Sequence, residues 1–216
     1  MTLRVALVGC DSMRVRAYAQ RLMTHSDISL QGIFYGKGEG VDAIFAAHQR
    51  PYLRVAASGI NAHEVANVLS ESKVDFAVFA GKPGEIVAPH ILSLGIPLLH
   101  MHPGALPAFR GSTVIYYSIL AQQPITVSAI LLAEGIDCGP VLHTRNFAYP
   151  RADDDIDGAF DATIRAETLA ELLDLTVRNG TLPAPQNSDS SKGMDYFIIH
   201  PVLKHIARLS LEVKRD

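Results

Sequence analysis

The chain of 216 residues has no tryptophan and only two cysteines, Cys10 and Cys138. Two cysteines do not make a disulfide framework, so both are read as free thiols. Basic residues are not in excess: 19 Lys and Arg stand against 22 Asp and Glu, a formal charge of −3. That argues against a general binder of nucleic acid or of a membrane surface. A dinucleotide fingerprint is missing too, because Gly9-Cys10-Asp11-Ser12 carries one glycine where G-x-G-x-x-G needs more. The most informative shortage is local. Between Glu85 and Glu134 lie 48 residues whose only charge is Arg110, where the overall 19% would place about nine.

A membrane span is the first explanation to test. The run from Ile86 to Phe109 is long enough, but it contains Pro89, Pro97, Pro103 and Pro107 together with His90, His100 and His102. Prolines and imidazoles at that density make a poor spanning helix. Gly111 to Ala133 is broken by Gln122, Gln123 and Pro124. At the N-terminus, Asp11 arrives too early for a secretory apolar region. The expectation is a soluble, cytoplasmic protein with an uncharged centre.

What is present alternates strand-like and helix-like segments. Leu3 to Val8, Ser29 to Tyr35, Val74 to Ala80, Pro97 to His102 and Thr126 to Leu132 read as strands. Val15 to Met23, Asn61 to Ser72 with Asn61 as N-cap, and Ser112 to Gln122 read as helices. Gly36 to Gly40 reads as a loop. Arg151 to Asn179 reads as one long helix, with aspartates at its start and Asn179-Gly180 at its stop. Gln186 to Lys192 is a polar loop, Tyr196 to His200 a terminal strand and Pro201 to Leu209 a short helix. This alternation predicts an α/β core with a parallel sheet.

Ligands of such sheets bind outside the carboxyl ends of strands, and three of those ends carry reactive residues. Gly9, Cys10, Asp11 and Ser12 form either a plain turn or a small-substrate contact. His100 and His102 share one strand face, so they either ligate zinc with a carboxylate such as Asp137 or polarise a carbonyl and move protons. Glu134-Gly135-Ile136-Asp137-Cys138-Gly139 ends the uncharged stretch with two carboxylates between glycines, which is also ordinary turn chemistry.

The segment Leu99-His100-Met101-His102-Pro103-Gly104-Ala105-Leu106-Pro107-Ala108-Phe109-Arg110-Gly111 resembles the signature of folate-dependent formyltransferases. That family includes glycinamide ribonucleotide, methionyl-tRNA and sugar-amine formyltransferases. Gly135-Ile136-Asp137-Cys138-Gly139 is similar to the second half of the signature, with Asp137 following His102 by 35 positions. The resemblance covers about residues 3 to 180. It implies a Rossmann-like, mostly parallel sheet flanked by helices as a catalytic domain over residues 1–180. Residues 181–216 form a small C-terminal appendage.

The resemblance also implies a reaction. A primary amine attacks the formyl carbon of 10-formyltetrahydrofolate, and the site must supply hydrogen-bond donors to the oxygen. His102 would handle oxyanion and proton, and Asp137 would orient it and accept the amine proton, its pKa raised by burial. The pterin would lie on Gly84-Glu85-Ile86 and Ala133-Glu134-Gly135-Ile136, and Arg110 and the Gly9 to Ser12 turn would contact substrate. No metal is expected. His100 stands where the family has asparagine, and is expected to replace it as a donor. Gly104 stands in the place of a serine.

The acceptor is read by elimination within the family. With no added domain after Gly180 and no basic surface, tRNA or other nucleic acid is not expected. Asp11 in a phosphate cradle argues against glycinamide ribonucleotide. A nucleotide-linked amino sugar or another small amine remains. Rival readings are a formyltetrahydrofolate hydrolase, a zinc hydrolase on His100, His102 and Asp137, a weakened or repurposed member, and a ligand-sensing relic. Tyr196 to Ile199 packs beside the acceptor, forms the edge of a homodimer, or is a plain edge strand.

Overall fold

The computed structural model describes residues 2–186 and 193–213. Short apolar runs, buried at nearly every position, build the sheet because both of its faces are covered. In chain order the strands are β1 (Leu3–Cys10), β2 (Ile28–Tyr35), β3 (Tyr52–Arg54), β4 (Phe76–Ala80), β5 (Leu98–His102), β6 (Phe109–Gly111), β7 (Ile125–Leu131), β8 (Val141–Phe147) and β9 (Met194–Tyr196). Seven of them form one sheet in the order β3-β2-β1-β4-β5-β7-β8. The first five are parallel, with Val5 level with Leu30 and Phe76, and Val78 level with Leu99. The mostly parallel α/β sheet read from the sequence is present.

The last two strands depart from a purely parallel sheet. β7 runs antiparallel to β5, with His102 opposite Ser128, and β8 returns antiparallel to β7. β6 and β9 form a separate parallel pair, with Arg110 level with Asp195. The terminal strand is thus Met194–Tyr196 rather than 196–200, because its backbone partner is the signature segment itself.

Helices cover both faces: α1 (Met13–Met23), α2 (Gly40–Ala47), α3 (His63–Glu71), α4 (Pro89–Leu92), α5 (Val114–Leu120), α6 (Asp161–Asn179) and α7 (Pro201–Val213). Strand alternation divides the core. Val5 and Leu7 of β1 pack with Leu22, Leu169, Leu172 and Leu173 on one face, whereas Ala6 and Val8 pack with Val65 and Leu69 on the other. Ile199, Ala207 and Leu211 of the C-terminal segment join the first of these clusters. No helix among the described residues is long and apolar enough to cross a membrane. The charge-poor stretch supplies β5, β7 and α5 instead.

Several boundaries differ for identifiable reasons. Asn61 is not the cap of α3; its side chain bridges the Ile86 carbonyl and the Ala88 N–H, both at 2.8 Å. The long helix starts later, at Asp161, and is preceded by a π-helical turn, Ile156–Phe160, whose Gly158 and Ala159 N–H groups are capped by Asp155. The polar loop after Gln186 lies outside the described residues. Helix α2, read as partly loop, has no local cap. Its Gly40 and Val41 N–H groups donate instead to the carboxylate of Asp11, at 3.0 and 3.1 Å. Arg16 holds the same carboxylate through two bonds of 2.7 Å.

Asp11 therefore acts as a cap supplied from another part of the chain. Arg16 first, with the Gly40 and Val41 amides, holds its carboxyl below the usual range. A depressed carboxylate adds stability above its unfolded pKa and loses it as pH falls through the folded value. Asp11→Ala should cost about 1 kcal/mol, the usual worth of a helix cap. It should also flatten the acid-side fall of stability in urea denaturation measured from pH 7 down to 3; an unchanged midpoint would contradict the cap.

Candidate active site

Strand β5 is apolar except for its two histidines, and alternation puts both on one side. Its end is pinned twice. The Met101 carbonyl accepts a 2.6 Å bond from Arg165 Nη1, and Ser128 Oγ donates to the Gly104 carbonyl at 2.7 Å. The chain then turns through a cis Leu106–Pro107 bond into β6. Gly104 is required by the close packing there: a Cβ would sit 2.6 Å from His102 Nε2 and 2.5 Å from the Phe109 carbonyl oxygen. That contact explains why no serine occupies the position.

His102 is buried, with 2% of its surface exposed. Its Nε2 lies 2.7 Å from the Phe109 carbonyl oxygen, and its Nδ1 lies 3.1 Å from Asp137 Oδ2. Both ring nitrogens face oxygen acceptors, so the His102–Asp137 pair must hold two protons, one on Nε2 and one in the Nδ1–Oδ2 contact. Gly111 N–H also donates to Asp137 Oδ2, at 2.9 Å.

Asp137 departs from the sequence expectation in its acidity. Burial does push its carboxyl up, but the His102 hydrogen bond and the nearby imidazoles outweigh it and hold the group below the usual carboxylate range. The raised pKa expected from a charge-poor pocket is thus reversed by the partner the pocket contains.

His100 is half-buried, and its imidazole is pushed down to about 3, first by desolvation and then by the positive charges of Arg165 and Arg14. It is neutral at ordinary pH. Its Nδ1 lies 3.5 Å from the Phe79 carbonyl oxygen, which can only accept. That contact favours the proton on Nδ1 and leaves Nε2 as a bare acceptor. One ligand-type atom from each of His100, His102 and Asp137 lies within 4.8 Å of the others.

A cavity of about 1160 Å³ opens at the carboxyl ends of β1, β2 and β4. Cys10, Asp11 and Ser12 line it, as expected, with Arg14, Lys37 and Lys82. Gly9 does not; it sits inside β1, where a Cβ would come 2.3 Å from the Ala80 carbonyl oxygen. Cys10 is a buried thiol pushed up by desolvation, so it is not set up as a nucleophile. Asp11 turns its carboxylate to α2 and Arg16, so it does not repel an anion at α1, and the objection to a phosphate falls.

Arg110, expected to contact substrate, is held by partners within the protein. Its guanidinium meets Asp195 at 2.9 Å and the Gly193 carbonyl at 3.3 Å, and reaches Cys138 Sγ at 3.4 Å. It ties β6 to β9 and to the Asp137 loop. Of the two pterin loops, the first is held by Glu85, which accepts from Tyr35 Oη, Ile60 N–H and Lys82 N–H, and by Asn61, which donates to the Ile86 carbonyl. Ala133 to Ile136 are exposed, and Ile86 and Ile136 present apolar side chains at the surface.

Two residues escaped the sequence reading. Arg165 pairs with Asp161 at 2.8 Å while holding β5, and Arg14 donates to the Gly81 carbonyl while its Nε has no partner among the described residues. On helices these look like ordinary surface charges. The Asp161/Arg165 spacing of four was the available signal for one of them.

Comparison with known proteins adds to this geometry. No family model matches the chain. The chain is 33% identical over 128 residues to the methionyl-tRNA formyltransferase of Chloroflexus aurantiacus, a match spanning 57% of this chain and 40% of that protein. The chain thus covers less than half the length of that relative. In fold it is similar to a sugar N-formyltransferase from a Shewanella species, with a TM-score of 0.63, 16% identity, and 97% and 87% of the two chains covered. It is also similar to a formyltransferase from Anoxybacillus kamchatkensis in complex with UDP-4,6-dideoxy-4-formamido-L-AltNAc and tetrahydrofolate. That TM-score is 0.55 at 16% identity, covering 90% and 86%. The resemblance to the folate-dependent formyltransferases holds in sequence, and their fold is shared.

The neutrality of His100 can be read directly. In an NMR titration its ring resonances should stay flat from pH 8 to 5, whereas a midpoint near 6.5 would contradict the burial argument. The unfolded chain takes up that proton below about pH 6.5 and the folded chain does not until about 3. Stability should therefore fall with pH across that window, and His100→Asn should remove this part of the loss.

Proposed function

We propose that this protein transfers a formyl group from 10-formyltetrahydrofolate to the primary amine of a small anionic acceptor, with a nucleotide-linked amino sugar as the leading class. The observation that carries the reading is the His102–Asp137 pair, held by the Phe109 carbonyl and the Gly111 N–H at the junction of both signature halves.

The chemistry follows from the proton count. Attack of the amine on the formyl carbon puts negative charge on the oxygen and positive charge on the nitrogen. The proton held between His102 Nδ1 and Asp137 is the donor available to that oxygen. The Asp137 carboxylate takes a proton from the amine nitrogen. Collapse re-forms the carbonyl, returns the borrowed proton to the His102–Asp137 pair and breaks the bond to the folate nitrogen, which leaves with the proton Asp137 took from the amine. The products are a formamide and tetrahydrofolate. A flat, neutral pterin suits exposed loop backbone beside Ile86 and Ile136.

The cavity supports the charge assigned to the acceptor. Arg14, Lys37, Arg54 and Lys82 line it with the first turn of α1, whose N–H groups favour an anion; of the carboxylates there, Asp11 is paired with Arg16 and Asp161 with Arg165, and Asp157 meets Lys204. The same features would accept a phosphate, a diphosphate or a carboxylate.

His100 is the weak point of the site. A missing oxyanion donor typically costs ~10²–10³ in turnover. His100→Asn should therefore raise turnover tenfold or more, and a loss would contradict the bare-acceptor assignment. His102→Asn and Asp137→Asn should each lower turnover by at least ~10². Arg14→Gln should raise KM for the acceptor and leave KM for the folate unchanged. A wild-type rate that requires no amine would favour the hydrolase reading instead.

A further inference from the structure

We propose that His100, His102 and Asp137 form a binding site for one divalent transition-metal ion of the zinc type. The inference does not depend on formyl transfer. It starts from the lone pairs.

A ligating histidine normally donates its second ring N–H to a carbonyl or carboxylate, which fixes the tautomer and aims the bare nitrogen at the metal. Both histidines have such a partner here: the Phe109 carbonyl at His102 Nε2, 2.7 Å away, and the Phe79 carbonyl at His100 Nδ1, 3.5 Å away. The nitrogens left for a metal are His102 Nδ1 and His100 Nε2. The third ligand is Asp137, oriented by the Gly111 N–H at 2.9 Å. The outer partners of all three ligands are therefore in place.

Spacing and charge agree. One ligand-type atom from each of the three residues lies within 4.8 Å of those of the other two. A tetrahedral ion with bonds of about 2.0–2.1 Å needs separations near 3.3 Å, within the reach of small side-chain rotations. His102 Nδ1 faces a carboxylate oxygen at 3.1 Å, a contact that requires a positive species between the two groups. A proton meets that requirement, and so does a metal.

The neighbouring charges narrow the choice of ion. Arg14 and Arg165 lie close enough to act on His100, while Asp161 offsets Arg165. Excess positive charge disfavours hard ions held by charge alone, such as calcium and magnesium. A two-imidazole, one-carboxylate set favours zinc or cobalt. Three protein ligands leave the fourth position open, as in metal sites that act on a bound molecule.

The test uses the full-length protein after chelator treatment, without folate or amine. Co²⁺ and Zn²⁺ are titrated in, followed by the cobalt visible spectrum, calorimetry and elemental analysis. The expected result is one ion per chain with a four-coordinate cobalt spectrum. Affinity should drop at least 100-fold in His100→Asn and in Asp137→Asn, and stay unchanged in His63→Ala, an exposed histidine elsewhere. His100→Gln is the second variant at that position should the asparagine form fail to fold. Absence of stoichiometric uptake by the wild type, or full affinity in a folded His100 variant, overturns the proposal. Zinc should also suppress formyl transfer by the wild type and spare His100→Asn. Failure of formyl transfer with intact metal uptake would count only against the proposed function.

Discussion

One buried contact organises the centre of this molecule: His102 Nδ1 against Asp137 Oδ2, with the Phe109 carbonyl on the far side of the ring. An imidazole between two oxygen acceptors has to be supplied with protons, and a carboxylate in an apolar pocket has to be partnered. Each group meets the need of the other. Burial alone would have raised the pKa of Asp137, and the pair reverses it. The signature strand, its turn through Gly104 and the loop carrying Asp137 converge on this contact.

The surrounding charge distribution gives the pair its setting. The stretch from Ile86 to Ala133 keeps charge away from β5 and β7, so the few charges that enter act through a low effective dielectric. Two of them, Arg14 and Arg165, come from helices α1 and α6, and their field adds to the desolvation that keeps His100 neutral. Arg165 also fixes the end of β5 through the Met101 carbonyl. The same side chains that stabilise the strand end thus set the protonation of the residue that departs from the family pattern. Arg14 links this centre to the cationic cavity that lines the proposed acceptor path.

Much of this was legible in the residues. Continuous apolar runs located β1, β2, β4, β5 and β7, and the shared face of His100 and His102 followed from strand alternation. Pairing His102 with Asp137 needed the two-part signature, since nothing in local chemistry joins residues 35 positions apart. What stayed hidden depends on contacts between distant segments. Helix α2 is capped by Asp11 from β1's turn, and Asn61 braces the loop before α4 rather than starting α3. Strand β8 carries His143 and Arg145, whose partners Glu167 and Glu171 lie on α6, so it lacks the apolar signal of an inner strand. The tautomer of His100 is decided by a carbonyl on a neighbouring strand. Sequence spacing carries no information about such a carbonyl.

The account rests on the carbon that leaves the folate and where it goes. The most direct measurement follows 10-formyltetrahydrofolate labelled with ¹³C at the formyl carbon, incubated with the protein and a set of phosphate-bearing amines. The account predicts that the label appears in a formamide, in step with tetrahydrofolate and only when an amine acceptor is present. Label recovered as formate at the same rate with and without amine, or a donor left unconsumed across the whole set, would contradict it.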